Sequence, residues 1–239
     1  MPYFYYGFDW TYMVLVLPCI ILSLWASSSV NSTFNKYAKV MSSRHITGAE
    51  AAQRVLSANG VRDVRIERVS GNLTDHYDPR TNVIRLSDSV HDSTSVAAIG
   101  VACHEAGHAV QYAENYAPIK LRAAIIPITN IGSKLAMPLI LAGILLSFLG
   151  NLSYAIVYLG IACFSLSLVF QLITLPVEFN ASRRAMAAIE QGNILTEQEQ
   201  RGAKRTLKAA AMTYVAATAV ALAQLLRLII LFGNRRRRD

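Results

Sequence analysis

The sequence predicts an α-helical integral membrane protein that carries a small α+β domain on the cytoplasmic side. Three observations lead there. Of 239 residues, 53% are hydrophobic and only 16% are charged, against roughly 25% charged in an ordinary soluble domain. The apolar residues gather into runs long enough to cross a bilayer. Between these runs lie polar stretches with both signs of charge, short β-like segments and helical periodicity.

Residues 11–30, TYMVLVLPCIILSLWASSSV, are uncharged and edged by Trp10, Tyr12 and Trp25. About twenty apolar residues with interfacial aromatics make a transmembrane helix. No basic stretch precedes the run and no A-x-A-like site follows it, so it reads as an uncleaved span. Residues 31–122 form the cytoplasmic region. Within it, GAEAAQRVLSANG (48–60) has helical periodicity and a glycine stop. VRDVRIERV (61–69) and TNVIRLS (81–87) read as strands, with HYDPRTN as the turn between them. NVIRLS suits either an edge strand that pairs with an extended peptide or an ordinary strand of a small sheet. Asp92, Ser93 or Thr94 supplies the N-cap of a helix running through SVAAIGVACHEAGHAVQYAEN.

Residues 135–149 and 152–175 are apolar and separated only by Gly150 and Asn151. A link that short makes 135–175 an antiparallel transmembrane hairpin, with Lys134 reaching the headgroups. Residues 176–208 are a polar, helix-prone cytoplasmic segment interrupted at QGNIL. A last apolar run, 209–232, contains Arg227 and leads to a basic tail at 233–239. If that run crosses the bilayer, the tail ends outside; if it lies in the interface, the tail stays inside.

The net charge is +8, and four of the positive charges are Arg235 to Arg238. Other basic residues lie beside the apolar runs, where anionic headgroups are their natural partners. No nucleic-acid motif accompanies them, so nucleic acid is not expected as a partner. Lys and Arg crowd the polar regions 31–122 and 178–208 and are absent from Gly150–Asn151. The polar regions therefore face the cytoplasm, with the N-terminus and hairpin tip outside. Cys19, Cys103 and Cys163 form no CxxC pair and read as small apolar residues.

The chemistry concentrates in GVACHEAGHAVQYAEN, residues 100–115. His104 and His108 are four residues apart and share one helix face, so both imidazoles reach one tetrahedral zinc. Glu105, beside the first histidine, can reach a metal-bound water as general base. An apolar helix that buries two histidines and a carboxylate needs something to offset their desolvation, and a metal does so.

A catalytic zinc takes three protein ligands. Glu114, six residues after His108, needs a sharp turn where the sequence has Gln111, and a continuing helix rotates it away. Glu178, in TLPVEFNASRRAM, is the better candidate, because the hairpin returns the chain to the cytoplasmic side there. A helix start after Pro176, with Glu178 at the dipole, is the competing reading.

HEAGH followed by two membrane segments and then EFNAS resembles the order in HtpX-like and CAAX-prenyl-protease-like membrane zinc peptidases, of the gluzincin kind. In those families an ExxxD element after the hairpin supplies the third ligand. NLTDHYDPRTNVIRLSDSVH, GVACHEAGHAVQ and LPVEFNASRRA together are similar to the YugP-like neutral zinc metallopeptidases of bacterial membranes, over roughly residues 60–190. The resemblance implies a zincin-like catalytic domain, with the HExxH helix beside a short sheet. It also implies one zinc on His104, His108 and Glu178, Glu105 as catalytic base, and a place in the bacterial plasma membrane. One departure stands out: Ser182 occupies the final acidic position of ExxxD, so the carboxylate that orients a histidine is missing there.

The expected reaction is hydrolysis of peptide bonds in membrane proteins or peptides near the cytoplasmic face. His76, Tyr77 and Arg183 are candidates by residue type for a second group at the oxyanion or substrate. The competing class is a zinc-containing membrane scaffold or quality-control partner without proteolysis, against which Glu105 argues. A transporter or haem protein needs ionisable groups within the spans, and all five histidines lie outside them. A homo-oligomer or a membrane partner protein stays open.

Overall fold

The computed structural model describes residues 10–233, so the basic tail beyond Gly233 lies outside the described residues. A π-helical turn at Tyr12–Val16 leads into α1 (Leu17–Tyr37). There follow α2 (Gly48–Ala58), strands β1 (Arg65–Val69), β2 (His76–Asp78) and β3 (Val83–Ser87), then α3 (Val96–Ala113). Three long helices complete the chain: α4 (Ala117–Leu145), α5 (Asn151–Gln191) and α6 (Glu197–Gly233). The chain divides into two compact units. One gathers described residues up to Trp25 with Arg122–Ile173 and Tyr214 onward, and the other gathers Ala26–Leu121 and Thr174–Thr213.

The first unit is helical throughout. Among the described residues, four helices are long and apolar enough to cross a membrane: Tyr12–Tyr37, α4, α5 and α6. Their outer faces carry exposed Ile21, Leu24, Ile128, Leu141, Leu159 and Leu226, apolar surface of a kind that water does not tolerate in bulk. Ile140, Val157, Ile161, Leu228 and Phe232 form the inner cluster. Glycine lets the hairpin close: a Cβ on Gly143 would fall 2.8 Å from Ser153 O, and one on Gly160 2.9 Å from Ala136 O. Small residues that admit a neighbouring backbone are the usual means of packing helices in lipid. The one charge in the last apolar run, Arg227, lies over the Tyr12 ring at 5.5 Å, which offsets part of its desolvation.

The hairpin arms are longer than the apolar runs suggest. α4 starts at Ala117 and passes through Pro127 and Pro138, so residues 122–134 are helix rather than a link. α5 likewise passes through Pro176 and ends at Gln191. Proline ends a helix in water, whereas packed membrane helices satisfy the freed carbonyls by other means.

The second unit holds the α+β core. Thr47 and Glu50 form a reciprocal capping box at the start of α2, and Gly60, with φ 69°, stops the chain after it. Ala51, Ala52, Val55 and Leu56 of α2 pack with Ile84 and Leu86 of β3 and with Ile99, Ala102, Cys103 and Ala106 of α3. Ala185 and Ile189 of α5, and Ala203 and Leu207 of α6, close this core.

The sheet differs from the expected hairpin. Its order is β1-β3-β2; β1 and β3 run parallel, and β2 joins β3 antiparallel. β2 is drawn from HYDPRTN, which the sequence presents as a turn. β3 is accordingly the buried central strand, so NVIRLS is not an edge and its backbone is paired on both sides. The cap of α3 is Ser95, whose side chain accepts from Ala98 N. Ser93 instead donates to the Ser95 hydroxyl.

Candidate metal centre

Helical spacing on two elements of the second unit builds the site. On α3, His104, Gly107, His108 and Gln111 follow the i, i+3, i+4, i+7 pattern of one face. On α5, Glu178, Ala181 and Ser182 do the same. The two faces meet at Gly107: a Cβ there would stand 2.9 Å from Ala181 O. The glycine of HEAGH therefore admits the α5 backbone, and α5 brings Glu178 to the histidines.

Glu178 Oε2 lies 3.2 Å from His104 Nε2 and 3.5 Å from His108 Nε2. All three ligand atoms fall within 4.8 Å of one another. Ligand atoms held at about 2.0–2.1 Å by a tetrahedral zinc stand roughly 3.3–3.4 Å apart, so the two separations from Glu178 match edges of a coordination tetrahedron. The Glu178 side chain is 3% exposed, against 14% for His104 and 11% for His108. The carboxylate is thus at the bottom and the histidines at the rim. Burial alone would depress the basicity of His108. The hydrogen bond that Glu178 accepts and the charges of Glu105 and Glu178 outweigh it and raise the His108 pKa above its ordinary value. Such a concentration of negative charge around two imidazoles suits a cation.

The remaining ring nitrogens are occupied as a metal site requires. His104 Nδ1 lies 3.2 Å from Ser182 Oγ, and His108 Nδ1 lies 3.0 Å from Gln111 Oε1. A ring that donates through Nδ1–H to these oxygens leaves Nε2 for a metal ligand bond. The Ser182 hydroxyl thus stands beside His104 Nδ1, four residues after Glu178 on α5. Glu105 is buried, and its Oε2 accepts from the backbone N–H of Tyr77 on β2 at 3.0 Å.

Other expected residues go elsewhere. Glu114 caps the C-terminus of α3 and pairs with Arg184 at 2.7 Å, and that hydrogen bond holds its carboxyl below the usual range. Pro176 lies inside α5, so Glu178 is no helix cap. Arg183 is exposed, and five residues turn it about 140° from Glu178. Tyr77 spends its hydroxyl on Asn82 Oδ1 at 2.6 Å and packs its ring against Tyr112; only its backbone serves the site. His76 is exposed, with Nδ1 at 2.8 Å from Thr74 O. Gln111 and Asn180 escape a reading of the sequence for ligands, because amides ligate poorly. The signal for Gln111 is its position three residues after His108 on the same face.

Comparison with known proteins bears on this geometry. A family model described as "putative neutral zinc metallopeptidase" matches residues 12–233, nearly the whole described chain. The chain belongs to this zinc metallopeptidase family. It is 47% identical over 225 residues, 94% of its own length and 98% of the relative's, to "Putative membrane protease YugP" of Bacillus subtilis (strain 168). No solved structure matches. Membership in a zinc metallopeptidase family agrees with the chemistry of the donor set, two imidazoles and a carboxylate.

Proposed function

We propose that this chain is a membrane-embedded, zinc-dependent endopeptidase that hydrolyses peptide bonds of membrane proteins or peptides near the cytoplasmic face. His104, His108 and Glu178 hold the zinc, and Glu105 is the general base. The observation that carries the reading is the convergence of those three ligand atoms beside a buried carboxylate anchored by one oxygen. Family membership and the relative named as a membrane protease support it.

A zinc ion at this position supplies a Lewis acid for the scissile carbonyl and lowers the pKa of water. Glu105 takes the proton from the attacking water and delivers it to the leaving amine. The Tyr77 N–H fixes Oε2, so the carboxylate turns Oε1 to that task without losing rotational freedom during reaction. Ser182 and Gln111 keep both rings in the tautomer that leaves Nε2 bare. No covalent enzyme intermediate is required. The placement of Lys and Arg around the apolar runs supports a cytoplasmic active site in a multi-pass plasma-membrane protein.

The test compares wild type, Glu105→Ala and Glu178→Ala purified in detergent, measuring bound zinc and cleavage of an unfolded protein. Glu105→Ala is expected to keep zinc and lose cleavage, and Glu178→Ala to lose both. Undiminished cleavage by Glu105→Ala overturns the mechanism. Full zinc retention by Glu178→Ala overturns the ligand assignment.

A further inference from the structure

His108 is oriented by a residue of its own helix, and that residue is oriented in turn. Gln111 is fully buried. Its Nε2 lies 2.9 Å from Val177 O and 2.9 Å from Asn180 Oδ1, and its Oε1 lies 3.0 Å from His108 Nδ1. Val177 O, a carbonyl, can only accept, so the amide end that faces it must be the NH2 group. Asn180 agrees. Its Oδ1 is 2.7 Å from Arg184 Nε, and a guanidinium only donates. Arg184 is itself fixed by Glu114 at 2.7 Å. A donor-only group at one end and an acceptor-only group at the side leave a single polarity for the chain. Gln111 Oε1 must face His108, and His108 Nδ1 must carry the proton.

We propose that Gln111 is a positioning residue of the metal centre, locking His108 as the Nδ1–H tautomer so that Nε2 is preset as a ligand. Asn180, Arg184 and Glu114 are the outer links that set the polarity. This rests on the zinc reading above: Gln111 fixes a proton on Nδ1, and Nε2, 3.5 Å from Glu178 Oε2, is free of one when a metal takes that place. Every buried polar atom of Gln111 is satisfied by this arrangement and by no flipped one. A flip would put the amide oxygen against Val177 O and Asn180 Oδ1 and would leave two unpaired acceptors in a dry interior. The two histidines thus have different supports: His104 leans on a hydroxyl from α5, whereas His108 leans on an amide from α3.

The sequence contains one Gly-His step, 107–108, which allows a direct test. Full-length chain is labelled with carbonyl-13C glycine and 15N histidine and loaded with zinc. The His108 ring nitrogens are assigned by solid-state NMR through that pair. The expected signal is protonated Nδ1 with metal-bound Nε2, and a bare or metal-bound Nδ1 overturns the proposal. In a second arm, Gln111→Met fills the same space without the amide. Zinc affinity by chelator competition is expected to fall about 10- to 100-fold, with the His108 signal divided between tautomers. Unchanged affinity and tautomer in a folded Gln111→Met chain also overturn it. If Gln111→Met does not fold, the wild-type tautomer still decides. Wild type that takes up no zinc refutes the metal reading, whereas zinc held through His108 Nδ1 refutes the positioning by Gln111 alone.

Discussion

Gly107→Ala is the sharpest probe of how the site is assembled, because it adds one methyl group and removes nothing. The new Cβ would stand 2.9 Å from Ala181 O and 3.4 Å from Ala181 C and Cα. An ordinary contact begins near 3.4 Å, so α3 and α5 must separate by about 0.5 Å at this level. The obstructing atoms are backbone and have no rotamer to escape into. Overpacking of this kind costs about 1–3 kcal/mol, while alanine is favoured over glycine within a helix by about 1 kcal/mol. The net loss of stability is therefore small, roughly 0–2 kcal/mol. The metal site is less forgiving. Glu178 lies three residues before Ala181 on α5 and moves with it, and coordination distances tolerate only about 0.2 Å. The expected outcome is a chain that unfolds within a few degrees of wild type but binds zinc at least tenfold more weakly. Differential scanning fluorimetry and chelator competition on the same preparation separate the two effects. Wild-type zinc affinity in folded Gly107→Ala would refute the claim that close approach at this glycine places Glu178.

Two further substitutions address separate contacts. Ser182→Ala removes the hydroxyl 3.2 Å from His104 Nδ1 and should lower zinc affinity by about tenfold with little change in melting temperature; equal affinity means that the hydroxyl does not orient the ring. Gly160→Val places a branched side chain where even a Cβ meets Ala136 O at 2.9 Å. It should destabilise the hairpin by about 1–3 kcal/mol, read as a lower thermal midpoint in detergent, and an unchanged midpoint refutes close packing there.

Much of this arrangement was legible because it rests on local periodicity. The spacing of His104 and His108 puts them on one helix face in any environment, and the short link ending at Gly150, residues 146–150 in the structure, permits only an antiparallel hairpin. The stop at Gly60 follows from the same short-range chemistry. What the sequence concealed depends on partners far along the chain. HYDPRTN has the composition of a turn, yet Tyr77 pairs with Ile84, so β3 becomes central and β1 runs parallel to it. Pro176 ended the apolar run and offered a helix start, and it is carried within α5 instead. Ser182 read as the loss of an orienting group, because a hydroxyl's reach depends on how closely two helices approach. Gln111 was visible as the residue that replaces a turn glycine, but its orienting contact with His108 emerged only beside Val177 and Asn180.

The order of the ligands along the chain also bears on biosynthesis. His104 and Glu178 are 74 residues apart, and the whole α4–α5 turn is made between them. At roughly 5–20 residues per second the ribosome needs about 4–15 s to travel from the first ligand to the last. During that interval the nascent chain has the two histidines and Glu105 but not Glu178. A two-histidine site binds metal weakly, so on the proposed ligand set metal uptake is expected to wait for α5.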